Sequence, residues 1–567
     1  MRSPAPTSLI LFALSVQIIP SAGVAITLAV DANRDGQVDF VRDAEGKTEW
    51  TRERGAVFLN NCDADSGLKV PDHSDTIVNG ETDLLDLAMI RMRRSDTMSA
   101  ASTVTLGVDA GASSRVRVFL QNTGGIWVPV PLGTTGNIPT DRLVAGDLEL
   151  RIEGNSFATG TWNGEVTVTA SANLPGLGSS SDTVKMRVAP FLLLPNTQPA
   201  KEFYVRAYTG GNETFISQLQ THVPPTGATV RVGAAGGSYS SNDIWMQDAY
   251  EIGYQELPGR KPMSVVLPAN RGSTWNLWRY AQDQLLAPDY GWFTSGTYRA
   301  SFGNGSAPNG WLDWFGNLEV TPPYPGHPHG RVFYGISGAA GLNPEQVAML
   351  NAQGMQGPAL ALDTGWLTIK HVDEMICPVP SGNAAKPWKI LVPDTNVAYA
   401  LLDTWSGQGH GGVAMLGTYT SGQTVDTVRS NATLRNYNTN LQSSRINPMI
   451  EVAKTAWGLT EAEVIRVPSI YKTTGESYMP NMVNSAVVNG LLLVSDPVGP
   501  RVGGNDLMQA ALNVLINGMP VSARYLDDQR YHRWDGNTHC ATNTRRAGFE
   551  PSIWSVGPSE SSAWVNY

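Results

Sequence analysis

The sequence predicts two folded parts, an all-β sandwich of immunoglobulin-like size followed by a larger α/β region. A chain of 567 residues is too long for a single hydrophobic core. Apolar residues alternate with period two before about residue 190, and mixed strand and helix patterns follow. A proline-rich stretch separates the two patterns. With 58 glycines, 36 prolines and only 16% charged residues, the composition is that of a folded, turn-rich protein.

Residues 1–25 have the layout of a secretory signal peptide. Arg2 precedes an apolar run from Leu9 to Ile19, and small residues around Ala22 follow. No later apolar run approaches the roughly 18 to 20 residues that span a bilayer. We therefore expect a secreted protein with no membrane segment after the signal is removed.

Residues 26–190 are expected to form the sandwich. Three segments alternate clearly, Ser114–Phe119, Leu148–Ile152 and Glu165–Thr169, and Gly, Asn and Pro turns separate them. Many short strands of this kind are typical of an immunoglobulin-like fold.

Two groups of oxygen-bearing side chains within this part indicate calcium sites. Asp31, Asn33 and Asp35 are spaced two apart around Gly36, as in a calcium loop. The alternative interpretation of both groups is a solvated acidic loop, but the repeated alternation favours calcium. The second group comprises Asn61, Asp63, Asp65, Asp72, Asp75, Asp83 and Asp86.

Residues 191–567 are expected to form the α/β region, which starts within the stiff segment Pro190–Pro199. The apolar runs Val265–Leu267 and Leu491–Val494 predict strands. The segment Asp506–Ile516 predicts an amphipathic helix. About 370 residues are many for one sheet, so repeated modules or a barrel-like closure are implied. The predicted inward face of the helix carries Leu507, Met508, Ala511, Leu512 and Leu515.

Charge and cysteine content narrow the function classes. A net charge of −10 argues against a nucleic-acid partner and favours a cationic one. Three cysteines, Cys62, Cys377 and Cys540, are too few for a disulfide scaffold. Nothing in the sequence specifies an oligomeric state.

Cys540 is the best candidate for a covalent nucleophile. A cysteine attacks carbon as its thiolate, so it needs a neighbour that lowers its pKa or accepts its proton. His539 is adjacent in sequence, although an inert buried cysteine beside a surface histidine would give the same pattern.

Two distant segments favour a catalytic Cys540 over an inert one, because each places a carboxylate beside an aromatic residue or a histidine. Asp248 follows Trp245, and Asp373 follows His371. Two carboxylates can grip a planar guanidinium pairwise while an aromatic ring covers its face. Its carbon would then lie before Cys540, with His371 available to protonate the leaving amine. Ordinary surface loops remain the alternative interpretation.

The chain resembles the protein-arginine deiminase family over nearly its whole length after the signal. The resemblance is carried by several motifs in the same order as in that family. They are Asn242–Tyr254, Phe315–Val320, His371–Glu374, Met479–Asn484 and His539–Asn543, and the acidic stretches at Val30–Gly36 and Asn61–Asp65 resemble the calcium motifs of the family's middle domain.

The resemblance implies a pentein propeller of five ββαβ modules, calcium dependence, and conversion of peptidyl-arginine to citrulline with release of ammonia. It implies that Asp248 and Asp373 bind the guanidinium, Trp245 flanks it, His371 is the acid/base and Cys540 the nucleophile. Arg271 matches a family arginine on the substrate side of the cleft. The implied ligands of an active-site calcium are Gln247, Glu251, Glu319 and the carbonyls of Phe315 and Leu318.

Departures from the family pattern also carry expectations. A neighbouring calcium site is expected to be lost, since Ala249, Val266 and Leu267 lack side-chain oxygens. A second substrate-side arginine of the family is Ala269 here. The competing functions are a deiminase of free arginine or a small guanidine, and a non-catalytic calcium-dependent binding protein.

Overall fold

The computed structural model describes residues 25–236, 238–272, 274–294, 309–417 and 419–555. The predicted signal peptide lies outside this part except for Ala25. Across the described ranges, no helix is long and apolar enough to cross a membrane.

Residues 26–188 form two β-sheets that share one hydrophobic core. Strand Glu165–Leu174 illustrates the cause, because Val166, Val168 and Ala170 are fully buried while the residues that alternate with them are partly exposed. The predicted strands are confirmed, and each is a few residues longer or shifted. In spatial order, one sheet contains Ile26–Val30, Ala88–Arg94, Leu148–Gly154, Val116–Gln121 and Trp127–Pro129, and the other contains Ala56–Phe58, Gly178–Val188, Glu165–Leu174 and Thr103–Val108.

Three short helices connect these strands. The first two lie in the acidic segment that the sequence analysis assigned to calcium. In chain order the three are the 3₁₀ turn Asp72–Ser74 and the α-helices Glu81–Asp86 and Thr140–Ala145.

The α/β region contains five small sheets built to one pattern. In each, a central strand pairs antiparallel with one neighbour and parallel with the other. The repetition confirms that the region is modular. The central strands are Ala200–Arg206, Met263–Pro268, Val332–Ile336, Lys386–Asp394 and Leu491–Ser495. In the same order, the antiparallel partners are Thr542–Arg546, Tyr250–Gln255, Leu318–Val320, Cys377–Asn383 and Ala486–Val488. The parallel partners, again in that order, are Thr229–Gly233, Tyr290–Trp292, Leu360–Asp363, Val464–Pro468 and Ser522–Leu526.

Helices join the strands of these sheets, and a two-stranded ribbon adds Arg501–Val502 and Asn505–Asp506. The α-helices are Glu213–His222, Met246–Ala249, Pro344–Ala352, Thr395–Trp405, Val425–Ser430, Ala432–Leu441, Asn447–Trp457, Leu507–Leu515 and Gln529–His532. Short 3₁₀ turns occupy Pro224–Thr226, Gly310–Asp313, Phe315–Asn317, Val372–Glu374 and Glu461–Glu463, and π-type turns occupy Ala281–Leu285, Ser406–His410 and Gln442–Ile446.

The helix predicted at Asp506–Ile516 is present, but one part of its predicted buried face is wrong. Asp506 caps its start by accepting from two backbone N–H groups, and Met508 and Leu512 are buried. Leu515 is 38% exposed. The reason is that the backbone leaves helical geometry at Ile516, which turns inward and takes the core position instead.

The two parts of the chain are joined by hydrogen bonds to backbone groups of the sandwich. Asn60 N–H donates to Gln255 Oε1 at 3.1 Å, and Gln255 Nε2 donates back to the Asn60 carbonyl at 2.6 Å. Trp292 N–H donates to the Cys62 carbonyl at 2.9 Å. The acidic segment of the sandwich is thereby held against the α/β region. The predicted boundary at residue 190 falls between the last sandwich strand, Gly178–Val188, and a two-residue strand that pairs with Tyr254.

Candidate active site

Cys540 lies in a tight turn just before the strand Thr542–Arg546, and only 3% of it is exposed. Asn484 holds that turn: its Oδ1 accepts from the backbone N–H groups of His539 at 3.0 Å and Cys540 at 3.3 Å. The Nδ2 of the same amide donates to Cys540 Sγ at 3.3 Å. Asn484 therefore both fixes the sulfur and supplies a hydrogen bond that favours a thiolate. Its place in the motif Met479–Asn484 was the only sequence signal for this role.

The Cys540 thiol faces two carboxylates. Its Sγ lies 3.4 Å from Asp373 Oδ2, and both residues are buried. Burial, followed by the negative charges of Asp373 and Asp248, raises the pKa of Cys540 well above the usual value for a thiol. A cation bound between these carboxylates would offset both charges and favour the thiolate.

His371 lies beside Asp248, with its Nδ1 3.4 Å from Asp248 Oδ1. Its Nε2 is 2.8 Å from the backbone carbonyl of Trp311, which fixes the plane of the ring. Burial alone would lower the pKa of His371, but the carboxylates of Asp248, Asp373 and Glu374 together outweigh burial and raise the pKa to about 9. At neutral pH His371 therefore carries a proton that it can give to a leaving group.

Asp373 is positioned by the turn that His371 begins. His371 is the N-cap of the 3₁₀ turn Val372–Glu374, and its N–H donates to Glu374 Oε1 at 3.2 Å. This local bonding directs Asp373 inward, where its Oδ1 is buried without a hydrogen-bond partner. A buried carboxylate oxygen with no donor is suited to receive an N–H of a bound guanidinium.

Gly316 keeps the centre of the site open. A Cβ at this position would lie 2.5 Å from His371 Nδ1, 2.6 Å from Asp248 Oδ1 and 3.1 Å from Asp373 Oδ2. Any side chain here would occupy the space that the three catalytic candidates face. The sequence motif included Gly316, but nothing in the sequence alone indicated why it is a glycine.

The ring of His539, the residue adjacent to Cys540 in sequence, faces two carboxylates. Its Nδ1 is 2.9 Å from Asp373 Oδ2, and its Nε2 is 3.4 Å from Glu319 Oε1. Burial would lower the pKa of His539, but Glu319 and Asp373 raise it. His539 thus links a catalytic carboxylate to a predicted calcium ligand.

A cavity of about 180 Å³ leads to Cys540 and Asp248. Trp245, predicted to flank the guanidinium, forms part of its wall and is 6% exposed. Gly536 packs directly on this indole, since a Cβ there would lie 2.2 Å from Trp245 Cζ3. The cavity has four further tryptophans in its wall, Trp275, Trp311, Trp314 and Trp534.

Arg271 lies behind this wall. Its side chain has no exposure, pairs with Asp243 at 2.7 Å, and stacks 4.0 Å from the ring of Trp314. Contact between Arg271 and a substrate stays a prediction; in this structure the guanidinium supports the tryptophan wall.

The five predicted ligands of the active-site calcium lie on two neighbouring segments, Gln247–Glu251 and Phe315–Glu319. Gln247 Nε2 donates to Glu251 Oε1 and, at 3.3 Å, to the Phe315 carbonyl. Glu319 follows Leu318 at the start of the strand Leu318–Val320. Burial and the neighbouring Glu319 raise the pKa of Glu251 well above its usual value, and burial raises that of Glu319 to about 7. Two carboxylates that oppose ionisation in this way fit a divalent cation between them.

The second acidic group of the sandwich also converges. Ligand oxygens of Asp63, Asp65 and Asp72 all lie within 4.8 Å of one another. The Oδ1 atoms of Asn61 and Asp63 are buried without a hydrogen-bond donor, which fits a hard cation. Burial, with Asp63 and Asp65 as the nearest charges, raises the pKa of Asp86 to about 9.

The remaining members of this group are placed differently. Asp83 is buried and accepts from Asn61 Nδ2 at 2.8 Å, whereas Asp75 is exposed and accepts from the Ile77 N–H. Asp289 was not anticipated, because it belongs to the α/β region: its N–H donates to Asp63 Oδ2 at 2.8 Å.

The loop from Asp31 to Gly36 is closed by its own backbone. Asp31 accepts from the N–H groups of Asp35 and Gly36, and Asn33 Oδ1 accepts from Asp35 at 2.9 Å. Asp35 also pairs with Arg42 at 3.0 Å. Gly36 has φ of +81°, the left-handed conformation that a sharp loop of this kind needs.

A buried cysteine facing two carboxylates, one of which pairs with a histidine, at the end of a tryptophan-lined cavity defines a site for chemistry on an organic cation. The model of the protein-arginine deiminase family matches residues 178–555, and that of its middle domain matches residues 24–172. Protein-arginine deiminase type-4 of Rattus norvegicus is 29% identical over 94% of this chain and 83% of its own length. Type-1 of Homo sapiens is 28% identical over 96% and 84%.

The chain therefore belongs to the protein-arginine deiminase family, and it is a hydrolase acting on guanidino groups. Its reaction is arginine deimination. Among solved structures, an agmatine deiminase of C. jejuni is 10% identical over 64% of this chain and 97% of that chain, with a TM-score of 0.38.

Proposed function

We propose that the protein converts peptidyl-arginine to peptidyl-citrulline and ammonia in a calcium-dependent reaction that passes through a covalent intermediate on Cys540. The observation that carries this proposal is the position of Cys540 Sγ, 3.4 Å from Asp373 at the end of a cavity that also reaches Asp248. The same charges that suppress the thiolate in the free enzyme are the ones that a guanidinium would neutralise.

The reaction proceeds in two halves. Asp248 and Asp373 hold the guanidinium, whose positive charge offsets the carboxylates so that the Cys540 thiol releases its proton to solvent. The resulting thiolate forms a bond to the central carbon of the guanidinium. The carbon–nitrogen bond then breaks, and His371 supplies the proton with which nitrogen leaves as ammonia. His371 next takes a proton from water, whose oxygen attacks the same carbon, and the carbon–sulfur bond breaks to give citrulline and free Cys540.

Calcium would be held by Gln247, Glu251, Glu319 and the carbonyls of Phe315 and Leu318, where it would supply charge that lets both glutamates ionise. Gln247 is adjacent to Asp248, and Glu319 faces His539, which contacts Asp373. These links are the route by which an ordered ligand set would fix where the two substrate carboxylates point. The acidic group around Asp63 would hold further calcium.

A peptide substrate is favoured over free arginine by the charge of the cavity wall. Within the described residues, the charged members of the wall are Asp248 and Asp535. Neither can bind the α-carboxylate of free arginine. The family to which the chain belongs is named for action on protein arginine, which supports the same choice.

The proposal also covers the arrangement of the sheets and the location of the protein. The five sheets of one pattern would be the five modules of a pentein propeller, and the two-sheet part would be an immunoglobulin-like middle domain. The predicted signal would direct the protein out of the cell, which sequencing the N-terminus of protein purified from the culture medium would test.

The test of function measures ammonia and citrulline from a blocked arginine peptide, with and without calcium. Cys540→Ala should lower the rate by about 10⁴-fold or more, because no other group can form the thiouronium. Cys377→Ala is the matched control, since that buried sulfur donates to the Ser485 carbonyl away from the cavity. Equal rates for wild type and Cys540→Ala would refute the covalent mechanism, and full activity in excess chelator would refute calcium dependence. A higher kcat/KM for free arginine than for the peptide would favour the alternative deiminase.

A further inference from the structure

The five tryptophans of the cavity divide into an inner pair and an outer group. Trp245 and Trp314 are 6% and 7% exposed, whereas Trp311 is 44% exposed and Trp275 and Trp534 are half-buried. The inner pair lies against the fixed groups Gly536 and Arg271. The outer three indoles keep surface open to solvent.

The outer indoles are held in place by neighbours of their own. Trp275 and Trp311 each contact Trp314, with ring centroids 5.6 and 6.3 Å apart. Trp534 packs edge-on against Tyr208, and the Arg530 guanidinium lies 3.6 Å above its ring. Rigid aromatic surfaces of this kind lose little conformational freedom when a ligand covers them.

The cavity is too small for more than one side chain. Its volume of about 180 Å³ is below the roughly 300–1,000 Å³ of pockets that enclose a whole small ligand. If the arginine side chain occupies it, the substrate backbone and the adjacent residues lie across the outer tryptophans.

The outer tryptophans Trp275, Trp311 and Trp534 form the rim of the cavity. The charge around this rim disfavours a substrate with an acidic residue next to the target arginine. Asp535 is exposed at the cavity wall, and the wall residues that the structure describes include no lysine or arginine. Arg271 is engaged by Asp243, and position 269 is alanine. The Arg530 guanidinium is stacked on the rings of Tyr208 and Trp534 and is not among the residues of the cavity wall. A free carboxylate or an acidic side chain at the wall would therefore meet Asp535 and apolar surface, while an apolar neighbour would bury its surface on indole.

We propose that Trp275, Trp311 and Trp534 form a subsite for the residue next to the target arginine, and that this subsite selects an aromatic or large aliphatic neighbour in a chain whose arginine carboxyl is in amide linkage. The inference rests on the proposed function and names its substrate class. The binding surface is continuous with the catalytic cavity, and its charge complements a cationic side chain with apolar neighbours.

The experiment compares kcat/KM for blocked peptides based on acetyl-Gly-Arg-Gly-amide, in which either glycine is replaced by Phe or by Asp. We expect Phe at one of the two positions to raise kcat/KM about tenfold, since burial of an aromatic ring supplies at least that much. Asp at that position should lower it at least threefold. Acetyl-Gly-Gly-Arg with a free carboxylate should be a poorer substrate than its amide.

Substitutions at the outer tryptophans then test whether these residues cause the preference for Phe over Gly next to the target arginine. Trp311→Ala and Trp534→Ala should each reduce the Phe-to-Gly ratio at least threefold. Trp311→Phe should retain most of it, and the backbone carbonyl that contacts His371 is unchanged in both Trp311 variants. Trp127→Ala, at the edge of the sandwich, is the control and should keep the wild-type ratio.

Each result has a definite meaning. The ratio is measured on one preparation, so partial loss of folded enzyme does not alter it. Equal kcat/KM for Phe, Gly and Asp peptides, or an unchanged ratio in both alanine variants, would overturn the subsite. If no peptide yields citrulline while free arginine does, the proposed function fails instead.

Discussion

Apart from the predicted calcium ligands Glu251 and Glu319, two sets of largely buried carboxylates in the described residues face different partners. At the active site Asp248 faces His371, and Asp373 faces Cys540 and His539. In the sandwich Asp63, Asp65 and Asp72 face one another. Carboxylates opposite imidazole and thiol can bind an organic cation and move protons. Carboxylates opposite carboxylates are stable in the ionised form only with a metal between them.

The two sets also differ in access. The active-site pair opens to a cavity, with Asp373 Oδ1 free of hydrogen bonds. The α/β region contacts the acidic group of the sandwich through Asp289, whose N–H donates to Asp63, and through Trp292, whose N–H donates to the Cys62 carbonyl. The first arrangement suits an exchangeable substrate, and the second suits a resident ion that ties two domains together. The following predictions test this distinction.

The largest effect is expected from Gly316→Ala, which fills the space in front of the active-site carboxylates. The added Cβ would meet His371 and Asp248 at about 2.5 Å. A displacement of either group should lower kcat/KM by about 10²-fold or more. Gly412→Ala, at a position open to solvent, is the control for a glycine substitution. Wild-type activity in Gly316→Ala, with an unchanged melting temperature, would mean that the guanidinium does not occupy this space.

The second prediction concerns the Cys540 thiol. Because burial and the carboxylates raise its pKa, a neutral alkylating agent should react slowly at pH 7.5. A cationic reagent of the same size should react faster, since it neutralises the carboxylates as it binds. We expect 2-chloroacetamidine to inactivate the enzyme at least tenfold faster than 2-chloroacetamide, after correction for the ratio measured on free cysteine. The advantage should shrink in Asp248→Asn; an equal ratio for enzyme and free cysteine would contradict this account of the site.

A smaller effect is expected from Asn484→Ala, which removes the amide that holds Cys540. Losing one hydrogen bond to a thiolate should lower kcat about 10- to 30-fold, with less change in KM. Asn484→Asp should be worse, because it adds a negative charge beside the sulfur. Asn440→Ala, on an exposed helix surface, is the control. A change confined to KM would assign Asn484 to substrate binding instead.

The division into an all-β part and an α/β part was predictable because it depends on local patterns, and the candidate site residues were identified by their place in motifs that resemble a known family. Alternating residues gave the sandwich strands, and the motifs gave Asp248, His371, Asp373 and Cys540. Where a side chain is placed differently from the sequence-based expectation, its position is set by a contact with a distant part of the chain. His539 is adjacent to Cys540 in sequence, yet its ring faces Asp373 and Glu319, which lie on other segments.

Glycines and buried pairs were the least predictable features. Gly316 and Gly536 are required by side chains that approach from distant parts of the chain. Arg271 has the charge of a substrate-binding residue, but Asp243 and Trp314 hold it inside the protein. Such roles depend on which segments pack together, and no local pattern encodes that.

The smallest effect should appear in the stability of the acidic group of the sandwich. Burial and the neighbouring carboxylates raise the pKa of Asp72 to about 7, so without metal the folded protein holds protons that the unfolded chain releases. Stability without calcium should therefore increase as pH falls from 8 to 6. Asp63→Asn with Asp72→Asn removes two of the opposed charges. The double variant should have a smaller pH dependence and, at pH 8 in chelator, a melting temperature higher by about 2–4 °C.

In calcium, the wild type should have the higher melting temperature of the two proteins, the reverse of the order in chelator. In the wild type, an ion that binds only the folded state raises the melting temperature with concentration. The double variant has lost two charged ligands, so the part of that rise which comes from the sandwich should disappear. Asp96→Asn, on a fully exposed carboxylate, should behave as wild type in both conditions. If the double variant is less stable than wild type in chelator and responds equally to calcium, then Asp63 and Asp72 act through hydrogen bonds, and the contrast between metal-facing and substrate-facing carboxylates does not hold.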